Sequence, residues 1–408
     1  MLIKARTILP VVTPPIADGM VCVEDGRVVD VGPEDKFRGR LAHQEVIDLG
    51  SSILLPGLIN SHCHLDYMMM KGSIIPSDSF SSWIRQINGL KRMLVADDYL
   101  LSIHEGYEEL LDHGTTTVVN IESFPEVFPR LTPPPLRVIW ALELIDIRVR
   151  QDQPDFVDGM LLALNYPEEW LGGVALSPHA PYTASVDIYK LARDAARELG
   201  CLVTTHVSES DEEFDMFTLG KGNFAQFMKS IGRDMSDCGI HTPFQHLLRK
   251  GAVGDDDLLV HMNYLSEEDI VEAGRRGMTI CHCPKSHHYF GHGEFPLIKL
   301  RDAGARVVLG TDSLASNNSL DLFSEMRAAK EKYPQLNYRQ LLDMCTIDAA
   351  RAIGKGGCLG QIAPGALADF VAVPATGFDD PFEDVCRFRD IVPFVMINGK
   401  VVRRDCVL

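Results

Sequence analysis

Seven side chains in this sequence combine types and spacing that could do chemistry. They are His62 and His64 two residues apart, His179, His206 with Glu209 three residues on, His261 and Asp312. Imidazole nitrogens and a carboxylate converging at one mouth make a metal site of N/O character, which suits Zn²⁺ and also Fe²⁺ or Mn²⁺. Neutral His ligands leave the metal its positive charge, which lowers the pKa of bound water from about 16 to about 7. A carboxylate nearby must then carry protons. One His alone is usually a satisfied core or surface residue, so the argument rests on where these residues fall along the chain.

The middle of the chain, about 57–360, alternates short apolar runs with helical patterns. Strands are predicted near 58–64, 115–122, 136–144, 173–179, 201–207, 257–263, 278–283 and 306–311, with helices at 97–112, 185–199, 266–276, 296–303 and 320–332. Eight strands alternating with helices predict a (β/α)8 TIM-like barrel, whose chemistry lies at the C-terminal strand ends. His62, His64, His179, His206 with Glu209, His261 and Asp312 all fall at such ends. Residues i and i+2 of a strand share a face, so His62 and His64 point inward and Cys63 outward. His43, His104, His113, His241, His246 and His292 fall at none of these ends. The stretches 65–96 and 210–256 are too long for simple connections and are expected to build the rim.

Both termini read differently from the middle. Strand, Asp25-Gly26 turn, strand near the start is matched by strand, Asn398-Gly399 turn, strand near the end. Neither end has enough apolar area for its own core. The expectation is an α/β protein in which residues 1–56 and 361–408 share one small β-sandwich and residues 57–360 form the barrel.

Composition narrows the function. The net charge is 39 − 57 = −18, which disfavours nucleic acid as a partner. No apolar run approaches a membrane span. With no leader pattern and ten scattered Cys, the chain reads as a cytoplasmic protein with reduced thiols. Cys281-His282-Cys283 could bind metal, but reads as a buried strand. His292-Gly293-Glu294 lacks the P-C-x-x-C of a cytidine-deaminase-type zinc site, and His104-Glu105 lacks the second His of a zincin.

Pro56 through His64 resembles the opening metal motif of the amidohydrolase superfamily. Ser177-Pro178-His179-Ala180-Pro181-Tyr182, His206-Val207-Ser208-Glu209 and Gly310-Thr311-Asp312-Ser313 are similar to its deaminase and chlorohydrolase branch, as is the run from Leu359 to Phe370. The resemblance spans nearly the whole chain. It implies one divalent transition metal per chain, zinc or iron, held by His62, His64, His206 and Asp312. Two-metal relatives carry a bridging Lys at the end of strand four, and residues 172–183 contain none. It further implies that Glu209 shuttles protons, that His261 and Asp312 take the proton of the attacking water, and that His179 holds the substrate ring. The implied reaction is hydrolytic release of ammonia from an aminated heteroaromatic ring.

Substrate choice is less legible. Arg148 and Arg150 after strand three, His287 and His288 after strand seven and Ser313 after strand eight are candidate substrate contacts. The rim runs 281–287 and 311–317 resemble aminodeoxyfutalosine deaminases, implying an adenine nucleoside as the small-molecule substrate. Adenosine, S-adenosylhomocysteine, guanine and pterin stay open. So do chloride release from a triazine-type ring, a non-catalytic scaffold of the same fold, and self-association into a homo-oligomer.

Overall fold

The computed structural model describes residues 1–39, 44–75, 77, 79–147, 157–159, 161, 166–167 and 169–404. Five strands come first: β1 (Leu2–Ile8), β2 (Ile16–Glu24), β3 (Arg27–Pro33), β4 (Val46–Asp48) and β5 (Ser52–Pro56). Barrel strands follow: β6 (Leu58–His64), β7 (Thr115–Glu122), β8 (Arg137–Leu144), β9 (Gly172–Pro178), β10 (Leu202–Val207), β11 (Leu258–His261), β12 (Thr279–His282), β13 (Arg306–Leu309) and β14 (Asp312–Ser313). The chain returns with β15 (Phe370–Pro374), β16 (Phe394–Ile397) and β17 (Lys400–Arg404).

β6 to β13 pair in parallel in chain order, and β14 pairs with β6. β13 and β14 are two parts of one run interrupted at Gly310-Thr311. Its first part pairs with β12 and its last with β6, which closes the ring. Gly310 is required at this closure, because a Cβ there would stand 2.9 Å from the His62 backbone nitrogen. The eight predicted barrel strands are the observed ones, shifted by at most two residues at most ends. Alternate residues such as Ile59, Val119, Ile121, Ile139, Ala141, Val260 and Cys281 fill the interior, while Val118, Val138, Trp140 and Cys63 face the surrounding helices. Cys281 and Cys283 belong to that interior.

The two termini together form one hydrogen-bonded mixed sheet, ordered β17-β16-β15-β5-β1-β2-β3 with β4 on β1. β15 lies antiparallel to β5, so the returning chain is added directly to the starting one. The two hairpin turns meet: a Cβ on Gly399 would stand 2.7 Å from the Gly26 Cα, and both glycines have φ of +73°. Only glycine tolerates that approach and that backbone together. Buried Arg137 on β8 pairs with Asp369, at 2.5 Å, and Asp369 also accepts the Asn398 N–H at 2.7 Å. This contact fixes the terminal sheet to the barrel.

The long stretches after the first and fifth barrel strands carry helices that the periodicity analysis did not assign: Phe80–Lys91, Asp211–Leu219, Asn223–Ser230 and Pro243–Arg249. Asp211–Leu219, Asn223–Ser230 and Pro243–Arg249 are short, so the 3.6-residue pattern has little length in which to register, whereas Phe80–Lys91 spans 12 residues and was overlooked. Among the described residues no helix is long and apolar enough to cross a membrane.

Candidate metal centre and active-site cavity

The ends of β6 and β10 bring three imidazoles together. One ring nitrogen from each of His62, His64 and His206 lies within 4.8 Å of the others, and the same holds for donor atoms of Glu209, His261 and Asp312. His64 Nε2 and His206 Nε2 face each other at 3.4 Å. Asp312 Oδ1 stands 3.7 Å from His62 Nε2 and 3.8 Å from His64 Nε2. All six side chains are buried.

This donor set fits a divalent cation. Both ring nitrogens of His62 and Nδ1 of His64 are buried without a hydrogen-bond partner, a costly state for polar atoms unless something else engages them. His206 Nδ1 donates to the His179 carbonyl at 2.9 Å, which leaves the Nε2 lone pair directed at His64, the arrangement metal-binding histidines use. Burial holds His64 down at about 3, with His62 adding to the effect, and drives His206 well below its ordinary value. Burial pushes Asp312 up, but the surrounding imidazoles outweigh it and keep the carboxyl well below the usual carboxylate range. Imidazoles held down at His64 and His206 beside one anionic oxygen leave a place for positive charge. Asp312 is itself held: Ser286 Oγ and Ser316 Oγ donate to Oδ2 at 2.7 and 3.0 Å, and the Ser313 N–H donates to Oδ1 at 2.7 Å.

The backbone is strained where these groups are presented. Ser208, His261, Met262 and Asp312 have φ of +53°, +73°, +51° and +58°, half of the eight non-glycine residues with positive φ among the described residues. Such conformations persist where surrounding contacts over-determine them, and they gather at functional sites.

Glu209 stands just past β10, with Oε1 3.6 Å from His261 Nε2. Its main chain is clamped from both sides. The N–H groups of Ser208 and Glu209 donate to the Glu213 carboxylate at 3.0 and 2.7 Å, and Asn263 Nδ2 donates to the Glu209 carbonyl at 2.9 Å. Burial, then Asp312 and Glu213, raise the Glu209 carboxyl well above its ordinary value. A buried carboxyl raised in this way is suited to carrying protons. Burial holds His261 down at about 3, against the pull of Asp312.

These groups open into a cavity of about 770 Å³. His64, His179, His206, Glu209, His261, Asp312 and Ser313 all line it. His179 is anchored by Nδ1, 2.5 Å from Thr183 Oγ1. The outer wall comes from the helices that the sequence patterns did not assign, through Phe80, Trp83 and Phe227. Tyr67 stacks on the His64 ring at 5.3 Å and bonds Lys91 at 2.6 Å.

His287 does not line this cavity. Its ring nitrogens lie 3.1 Å from Asn263 Oδ1 and 2.6 Å from the Gly293 carbonyl, so it braces the loop behind Glu209. His288 is exposed. Arg148 and Arg150 lie outside the described residues. Sequence reasoning missed Glu143, a buried carboxylate on the cavity wall. The signal was present, since Ile139, Ala141 and Glu143 share one face of β8.

The Amidohydrolase family matches residues 53–402, and the chain belongs to that family. Among its relatives, a protein of Pyrococcus furiosus named 5-methylthioadenosine/S-adenosylhomocysteine deaminase is 30% identical over 369 residues, 86% of this chain and 81% of the relative. The structure of an adenosine deaminase from Xanthomonas campestris with bound zinc superposes with a TM-score of 0.85 at 26% identity, covering 99% of this chain and 92% of that one. The aminofutalosine deaminase of Helicobacter pylori, in complex with methylthio-coformycin, shares the fold with a TM-score of 0.87 at 22% identity, covering 98% of this chain and 99% of that one.

Proposed function

We infer that this protein is a metal-dependent hydrolytic deaminase that releases ammonia from an aminated heteroaromatic ring, and that the ring is the adenine of a nucleoside such as aminodeoxyfutalosine. The observation that carries the reading is the convergence in one cavity of the three-imidazole and carboxylate set with Glu209, a carboxyl that burial raises well above its ordinary value. The relatives named above are deaminases of adenine nucleosides, which supports the choice of ring.

In this reading His62, His64, His206 and Asp312 hold one metal, zinc. When bound, that ion acidifies water and supplies positive charge where negative charge develops. Asp312 and His261 take the proton that the attacking water gives up. Glu209 delivers a proton to the ring nitrogen beside the carbon under attack. The amino group takes up the proton held on Asp312 and His261 and leaves as ammonia, while the new hydroxyl gives its proton back to Glu209 and the ring carbon becomes a carbonyl. His179, fixed through Thr183, borders the ring and orients it.

The test is a release screen on aminated purines, nucleosides and triazines, reading ammonia, chloride and alkylamine separately. Ammonia from adenine nucleosides supports the reading. Chloride or alkylamine from triazines, without ammonia from any nucleoside, replaces it with a chlorohydrolase-type activity.

A further inference from the structure

Glu143 has no part in the chemistry above, yet it occupies a privileged position. β8 turns Ile139 and Ala141 into the barrel interior, and the same alternation turns Glu143 into the cavity at the strand's C-terminal end. The residue is 7% exposed. Its Oε2 accepts the Ser123 hydroxyl at 2.6 Å, while Oε1 receives no hydrogen bond among the described residues. His179 Nε2 stands 3.8 Å from Oε1, beyond hydrogen-bond reach. His179 is held instead through Nδ1, 2.5 Å from Thr183 Oγ1. A carboxylate oxygen that lines a ligand cavity and has no protein donor can accept hydrogen bonds from a bound ligand.

We propose that Glu143 Oε1 accepts hydrogen bonds from the hydroxyl pair of the substrate's sugar, making the enzyme selective for ribosides. One carboxylate oxygen has lone pairs for two donors. With the ring between Glu209 and His179, the sugar is the hydroxyl-bearing part that reaches the wall at the end of the third barrel strand. The same oxygen repels an anionic substituent in that place. The assignment rests on the deaminase reading.

The experiment compares adenosine with 2′,3′-dideoxyadenosine on the wild-type protein and on Glu143→Gln. Wild type should favour adenosine in kcat/KM by about 10- to 150-fold, the range for hydrogen bonds to a charged group. Glu143→Gln should lose that factor on adenosine and change little on the dideoxy compound. Equal losses on both nucleosides would overturn the assignment and make Glu143 a support for the fold or for His179. If the variant does not fold, the wild-type ratio decides alone, and a ratio near one overturns the proposal. Absence of ammonia from both, and from every other nucleoside in the release screen, instead overturns the deaminase reading, and the role of Glu143 falls with it; if another nucleoside is the substrate, the same comparison is made with it and its 2′,3′-dideoxy analogue.

Discussion

Replacing Glu209 by Gln isolates the proton-carrying step. The substitution keeps the size and shape of the side chain and removes the transferable proton. The hydrogen bonds that hold this residue run through its main chain, from Glu209 N to Glu213 and from Asn263 to the Glu209 carbonyl. They survive the change. The Glu209 side chain faces His261 at 3.6 Å, which burial holds down, and the Asp312 carboxylate, which together with burial disfavours its charged form, so no attractive ion pair is lost. Thermal stability should therefore stay near that of wild type. The three imidazoles and Asp312 are untouched, so metal content should stay the same. A placed proton donor contributes about 10²–10⁴ in rate, or about 2.7–5.4 kcal/mol of barrier. Steady-state ammonia release should fall in kcat by that factor, with elemental analysis unchanged on the same sample. A variant that loses metal together with activity would make Glu209 a ligand. A kcat within about threefold of wild type would remove it from the mechanism.

Other consequences follow from particular contacts. Ser286→Ala removes a hydroxyl that holds Asp312 Oδ2, and chelator competition should show metal affinity weaker by about 10- to 100-fold; unchanged affinity would mean that Ser316 alone suffices. Asp369→Ala leaves Arg137 buried without its partner, so stability should drop by about 3–5 kcal/mol while kcat at low temperature persists; denaturant unfolding measures the drop. Burial lowers His287 from 6.5 to about 4 and His292 from 6.5 to about 3. The unfolded chain therefore binds more protons below pH 6.5. Stability is fully present above that pH and falls as pH drops through about 6.5 to 4, by up to about 1.4 kcal/mol per unit per histidine. His292→Gln should flatten that slope in melts across the window, and an unchanged slope would refute the assignment.

Much of the site was legible because barrel chemistry is tied to strand ends. His62 and His64 at i and i+2, His206, His261 and Asp312 each close an apolar run, and runs of that kind register clearly in a sequence. The hairpins were legible because Asp25-Gly26 and Asn398-Gly399 demand positive φ. The cavity's outer wall was not legible. Phe80, Trp83 and Phe227 sit on helices inside long connections, where no strand end in the sequence anchors them. Glu143 was overlooked as one more residue of an apolar strand, although its alternation with Ile139 and Ala141 pointed it inward. His287 looked like a rim contact by position, whereas its ring is taken up by Asn263 and Gly293. Glu213 carries no motif at all: its carboxylate matters because helix Asp211–Leu219 starts where two peptide N–H groups beside Glu209 need an acceptor.

The most direct test of metal-dependent deamination is ammonia release from adenosine by protein stripped with chelator and then titrated with zinc. The stripped protein should release essentially none, and the rate should climb to a plateau at about one zinc per chain, as the single set of three imidazoles and Asp312 requires. A full rate in stripped protein, or a plateau at two zinc ions per chain, would contradict the account.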